Sequence, residues 1–336
     1  MSTTIGDLVD RVYREYLEPP ESVESYSYLT GNVSTTTQTT INYEEDMFST
    51  EEEDALGAGA IIEVGQELMF SKSLNAVTNE ITVERGARGT TATTHLAGAL
   101  IKIAPAFPRK NVFDAIADQI ENLYPTLFAV ETKTLTSGTG YKIIGTHGSD
   151  VDNNNYLVAP IKAISQYTDF SSGTDETGLK FIGVAVEMID LPNGFTYTDD
   201  SGTERTKTYT SGPQVVHALQ FQGISAGYEC YVTFKKKFIA PTDEDTTLVS
   251  VGLETEYEPI VMAGVAAQMV AGKDINKIDA KYITEQISIS NAPIGSSNSL
   301  RNSLLQYQQL LIQQARKNLR AKYPEPVTLN SINYPT

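Results

Sequence analysis

The chain has 336 residues, of which 40 % are hydrophobic and 20 % charged, so it holds apolar material for two or three packed domains and is not expected to be disordered throughout. A formal net charge of −17 argues against a surface that grips nucleic acid everywhere, because phosphate neutralisation needs clustered Lys and Arg. It favours solubility and mutual repulsion of free subunits. A single cysteine, Cys230, rules out an intrachain disulfide framework, and no apolar run approaches the roughly 20 residues of a membrane-spanning helix.

Residues 1–10 lack the basic and apolar stretches of a secretion signal, so the protein is expected in a reducing cytoplasm or in a particle assembled there. An amphipathic helix opens the chain. Thr3 or Thr4 caps it, Ile5, Leu8, Val9, Val12, Tyr16 and Leu17 recur at helical spacing, and Pro19 and Pro20 stop it. A β-like stretch rich in Ser, Thr and Tyr covers 23–43. It leads into an acidic run, Glu44, Glu45, Asp46, Glu51, Glu52, Glu53 and Asp54, whose repulsion predicts a solvated loop. That loop is a candidate to face a channel or to dock on a basic neighbour.

A compact β unit follows, with strands predicted over 60–64, 67–71, 80–85 and 99–104 and turns at Asn75, Asn79 and 86–89. The spacing of Val112, Ile116, Ile120 and Leu123 predicts a second helix over 109–123, closed by Pro125. Beyond Glu131 the pattern changes, which marks the clearest domain boundary. Strands predicted over 156–164, 181–189, 215–222 and 228–238 alternate with Gly-, Pro- and Asp-rich turns, a pattern of antiparallel sandwiches and barrels. Cys230 lies in the last of these strands, where a small packed hydrophobe is expected.

Glu258 with Pro259 in the first turn starts another helix, ended by Gly272, and Ala263, Ala267 and Ala271 give it a stripe of small residues. The last helix, 298–323, ends before Pro324. Leu300, Leu304, Tyr307 and Leu311 make a seam for a partner helix, and Arg301, Arg316, Lys317, Arg320 and Lys322 are unaccompanied by any acid. This basic helix is the best candidate for contact with an acidic partner surface or with DNA; a solvated basic face is the plainer meaning. The fold class expected is α+β. Dispersed helices (1–20, 105–130 and 255–323) form a helical core, with a small inserted β-barrel-like unit and acidic loop over 23–104. A larger antiparallel β-sandwich or barrel spans 131–250, and 324–336 is an extended tail.

Catalytic parts are scarce. His95, His147 and His217 have no nucleophile or carboxylate partner at a known spacing, and Cys/His metal patterns are absent. Asp150, Asp152 and Asn154 begin like a calcium loop, but Asn155 stands where glycine is required and Ile161 where the distal acid belongs. Gly272-Lys273 lacks the remainder of a phosphate-binding loop. The pairs Asp199/Asp200 and Asp243/Asp245 read as turns. No catalytic residue, cofactor or metal is assigned, and the chain is expected not to be an enzyme.

One segment carries a resemblance. Ile81-Thr82-Val83-Glu84-Arg85-Gly86-Ala87-Arg88-Gly89-Thr90, followed by Thr94-His95-Leu96-Ala97-Gly98-Ala99, is a strand entering a glycine turn, a polar loop and a returning strand. It resembles a segment of tailed-bacteriophage virion proteins, and the helix over 111–123 ending at Tyr124-Pro125 resembles neck proteins in which a helix follows this β unit. The likeness covers about 65–128. It implies a head-to-tail adaptor or connector with a helical core, in a ring of about twelve copies. Its partners would be the portal and other neck or tail proteins, with double-stranded DNA passing non-specifically and no membrane involved. The location implied is the virion, after synthesis in the bacterial cytoplasm. The β domain over 131–240 has no counterpart in minimal adaptors. A tail-associated receptor- or carbohydrate-binding protein is the rival reading, resting on Tyr141, Tyr156, Tyr167, Tyr197, Tyr209 and Tyr228.

Overall fold

The computed structural model describes residues 3–17, 25–44, 56, 59–136, 142–144, 157–168, 179–183, 185–192, 194–198, 204–206, 215–222, 229–270 and 297–323. The chain is α+β and divides into two compact units. The first comprises Met1–Gln119, Pro241–Leu248 and Thr255–Leu311; the second comprises Ile120–Ala240, Val249–Glu254 and Ile312–Thr336.

In the first unit, helix α1 (Ile5–Val12) starts where the Thr4 hydroxyl accepts from the Asp7 N–H and the Asp7 carboxylate accepts from the Thr4 N–H. This reciprocal cap satisfies two backbone donors that a helix start leaves open. The chain runs on through a wider turn, Tyr13–Leu17, and buries Ile5, Leu8, Val9, Val12, Tyr16 and Leu17, the face read from the sequence.

Six strands follow: β1 (Ser25–Tyr28), β2 (Thr40–Asn42), β3 (Ile61–Val64), β4 (Glu67–Asn75), β5 (Glu80–Glu84) and β6 (Leu100–Ile103). They form one antiparallel sheet in the order β1-β6-β3-β4-β5-β2. Just past the two outer strands Leu29 bridges Tyr43, and the Glu44 N–H donates to the Tyr28 carbonyl at 3.0 Å. The sheet therefore curls until the ends of its two outer strands meet. Alternate residues point inward: Ile62 and Val64, Met69, Ile81 and Val83, Ile101 and Ile103. Leu29, Val33, Ile41, Tyr43 and Leu56 complete this core. Burial contributes roughly 1.5–3 kcal/mol for each large aliphatic or aromatic side chain. The expected strands are all present, and β4 runs past its expected end through an irregularity between Ser71 and Ser73.

Helix α2 (Arg109–Asn122) buries Val112, Phe113, Ala115, Ile116 and Ile120. The Glu63 carboxylate of β3 accepts from the Arg109 N–H and so places negative charge at the positive end of the helix. Helix α3 (Glu258–Val270) is predominantly apolar and buried over most of its surface, with Gln268 exposed. Helix α4 (Ser297–Lys322) is the longest among the described residues. Beside α3 at Gly264, Gln308 of α4 donates to the Gln119 side-chain oxygen of α2 at 2.9 Å and to the Ile260 carbonyl at 3.2 Å. A β-carbon on Gly264 would fall well inside contact distance of both glutamines. Close approach to α3 thus rests on Gly264; of the expected stripe Ala263 and Ala267 are buried, while Ala271 and Gly272 lie outside the described residues.

The second unit contains β7 (Ala129–Thr136), β8 (Lys142–Ile144), β9 (Leu157–Thr168), β10 (Leu179–Gly183), β11 (Ala185–Pro192), β12 (Thr196–Thr198), β13 (Glu204–Thr206), β14 (Val215–Gln222) and β15 (Glu229–Lys236). A four-stranded antiparallel sheet has the order β10-β9-β15-β7 and a three-stranded one β11-β14-β8, with β12 and β13 forming a separate pair. Leu157 and Ala163 of β9, Cys230, Val232 and Phe234 of β15, and Leu219 and Phe221 of β14 bury one another, so the two sheets share an apolar layer as in a sandwich. Cys230 is fully buried there, the packing role expected of it. The single strand expected over 181–189 is instead two, β10 and β11, in different sheets; the chain changes sheet after Gly183. Gly252, at φ +83°, lies where a β-carbon would stand 2.7 Å from that of Ala129.

Candidate functional site

The Arg-Gly/Gly-Thr segment is built around one buried carboxylate. Glu67 begins β4, where alternation turns its side chain inward and leaves it with no solvent exposure. Arg85, just past the end of β5, meets it with two parallel bonds, Nε to Oε1 at 2.7 Å and Nη2 to Oε2 at 2.6 Å. The N–H of Gly86 donates to Oε1 at 3.1 Å and that of Thr93 to Oε2 at 3.0 Å. His95 Nε2 lies 2.9 Å from Oε2 and must carry its proton there, since an ionised carboxylate only accepts. The remaining Arg85 donors hold carbonyls of three further residues: Nη1 reaches Thr35 and Gln38 at 3.2 and 3.0 Å, and Nη2 reaches Thr93.

The rest of the segment serves the same loop. Gly86 takes the left-handed conformation, φ 66°, and a β-carbon there would stand 2.9 Å from the Thr90 carbonyl oxygen. The Thr90 hydroxyl accepts from the Leu68 N–H at 3.0 Å and donates to the Ala87 carbonyl at 2.8 Å. His95 also exchanges backbone hydrogen bonds with Val33. Each member of the pattern is therefore placed by geometry: Arg and His for the carboxylate, Gly for the turn, Thr to tie the turn to β4.

Burial alone would push the Glu67 carboxyl up. The hydrogen bonds from Arg85, His95, Thr93 and Gly86 together outweigh it and hold the group at about 2. A carboxylate held so low is far too weak a base for proton transfer near neutrality. The arrangement clasps a loop. Sequence reasoning gave His95 no carboxylate partner, and this is corrected: Glu67 stands 28 residues earlier and reaches it only through the strand register.

A second charged group joins the first unit's helices. The Arg109 guanidinium holds Glu244 through Nε at 2.8 Å and Nη2 at 2.7 Å, and Asp10 through Nη1 at 2.7 Å. Arg11 pairs with Glu258, which is 3 % exposed at the start of α3. Asp243 serves as a turn residue, accepting from the Thr246 hydroxyl at 2.8 Å.

On α4 the buried line runs through Ser303, Leu304, Gln308, Ala315 and Leu319. Of the expected seam, Leu304 is on that line, while Leu300, Tyr307 and Leu311 are half-buried. The line is displaced because Gln308 is held by Gln119 and the Ile260 carbonyl. Arg301, Arg316, Lys317, Arg320 and Lys322 are all exposed, and Lys322 comes within 3.7 Å of Glu254. Of the acidic run only Glu44 is described: it is exposed, its N–H donating to Tyr28 and Ser27. Glu45, Asp46, Glu51, Glu52, Glu53 and Asp54 lie outside the described residues, as do His147, Asp150, Asp152, Asn154, Lys273 and the tail over 324–336. The side chains of Tyr141, Tyr156, Tyr167, Tyr197, Tyr209, Tyr228 and His217 are likewise not described.

Among the described residues no group of three or more His, Cys, Asp or Glu side chains is arranged to hold a metal, and no helix is long and apolar enough to cross a membrane. No protein-family model matches the chain, and no curated protein matches it.

Proposed function

We propose that this chain is a structural virion protein of a tailed phage, a head-to-tail connector that assembles as a ring beneath the portal and continues the DNA channel. One observation carries the reading. The segment that resembles phage virion proteins is tied to the curled sheet by the Glu67, Arg85 and His95 clasp, and β6 then leads into α2, the helix that resembles those of neck proteins. Such a unit is a rigid module delivered at a fixed place before a helix, which suits a protein that works by holding neighbours in register. In this reading the chain catalyses nothing, and its partners are its own copies, the portal and further neck or tail proteins. It resides in the virion neck after synthesis in the bacterial cytoplasm.

The test is imaging of portal rings incubated with the full chain. An added ring of density, with several copies on one portal, is the expected result. Bare portals, with the chain forming a stable trimer that binds glycans, would overturn the reading in favour of a receptor-binding role.

A further inference from the structure

Helix α4 holds five of the chain's 25 cations and none of its 42 acids. Near its end Arg316, Lys317 and Arg320 are all exposed, and none has a carboxylate partner among the described residues. Their spacing places them on about 6 Å of helix at the usual rise of 1.5 Å per residue. Ala315 and Leu319 take the buried side, so the three cations project from the outer surface of the helix. Nothing in the helix neutralises them.

Helix α2 carries the complementary pattern. Its buried residues leave Asn111, Asp114, Asp118, Glu121 and Asn122 exposed. Asp114, Asp118 and Glu121 recur at intervals of four and three residues, so they form one stripe about 10 Å long. Lys110 bonds Asp114, while Asp118 and Glu121 have no cation partner among the described residues. Each stripe is short, carried on a regular helix and of a single sign, the condition under which charge sets the register of a contact.

We infer that the Arg316, Lys317 and Arg320 stripe of one copy docks on the Asp114, Asp118 and Glu121 stripe of a second copy of this chain. Because the two surfaces differ, the contact is head-to-tail, and a head-to-tail contact repeated with the right rotation closes a ring. The inference rests on the connector reading and names the surfaces by which its copies would meet. It also accounts for a strongly acidic protein reserving one long helix for cations alone.

A charge exchange in the full chain tests it. One variant carries Arg316→Glu, Lys317→Glu and Arg320→Glu; the other carries Asp114→Lys, Asp118→Lys and Glu121→Lys. All six positions are exposed, so unchanged circular dichroism and melting are expected of both. Sedimentation with portal rings over a concentration series at low ionic strength should show assembly on the portal weakened about tenfold or more in each variant. An equimolar mixture should restore it, since each reversed helix then meets its opposite on the other variant. If the wild-type chain assembles and both variants assemble equally well, or if the mixture restores nothing, the inference falls while the connector reading stands. If the wild-type chain does not assemble on portal, both fall. If the α4 reversal leaves assembly intact but abolishes binding to a double-stranded DNA probe, the stripe is a nucleic-acid surface and the inference is overturned.

Discussion

The two β regions solve the same problem by different means. In the barrel of β1–β6, the loop between β5 and β6 leaves the regular strand ladder, bridging back to Val33 at His95, and a buried carboxylate gathers its donors: two N–H groups, a guanidinium and an imidazole. In the second unit the strands bury an apolar layer with Cys230, Val232 and Phe234 at no exposure, and the ion pairs of Glu131 with Lys133 and Lys236 stand at the surface. A buried, fully bonded charge fixes one loop geometry and tolerates no loss of a partner; an apolar layer is less directional and tolerates exchange of similar shapes.

The largest effects should come from breaking each device at its centre. Glu67→Gln leaves Arg85 buried without its counter-charge, and a loss of about 3–5 kcal/mol is expected in chemical denaturation. Phe234→Ala should cost a similar amount, about 3–5 kcal/mol, through a cavity in the sandwich layer. Conservative exchange separates the two: Phe234→Leu should recover much of the loss, whereas Glu67→Asp should recover little because the shorter side chain cannot reach all its donors. Hydrogen exchange followed residue by residue is the readout.

Acid should sharpen the contrast. The folded Glu67 carboxyl sits at about 2 against an ordinary value of 4.5, so the unfolded chain binds the proton more readily. The stability this group contributes is therefore present above about pH 4.5 and lost as the pH falls towards 2. Exchange protection of the Gly86 and Thr93 N–H groups should fall over that window ahead of that of Val232 and Phe234. Equal loss in both regions would contradict the clasp.

A smaller effect is expected at the helices. Gly264→Ala places a methyl group against Gln119 and Gln308 and should cost about 1–3 kcal/mol, seen as a lower melting temperature. The smallest is Lys236→Ala: it removes one surface partner of Glu131 and should change stability by about 1 kcal/mol or less in the same assay.

Much of this architecture was legible in the sequence, because alternation and helical spacing are local signals. Strands β3, β5 and β6 of the barrel, β14 and β15, and helices α1 to α4 begin and end within a few residues of where the patterns put them, β4 and β9 overrunning at their ends, while the one stretch expected over 23–43 is two short strands, β1 and β2. The centre of the site was not legible. Glu67 lies 18 residues before Arg85 and 28 before His95, and no pattern joins them until β4 and β5 pair and the Val33–His95 bridge forms. A glutamate immediately before the apolar run Leu68-Met69-Phe70 was the available signal. Gly264 was hidden for the same reason, since its role depends on glutamines of two other helices. Strands β12 and β13, three residues each, carry too little periodicity to register.

The proposed connector role requires copies of this chain to assemble with one another on a portal. Light scattering of the full chain, alone and mixed with portal rings, measures that most directly. Free subunits held apart by their shared negative charge are expected, with a jump in mass equal to several copies once portal is present. A mass unaltered by portal, at every ratio of chain to portal, would contradict that role.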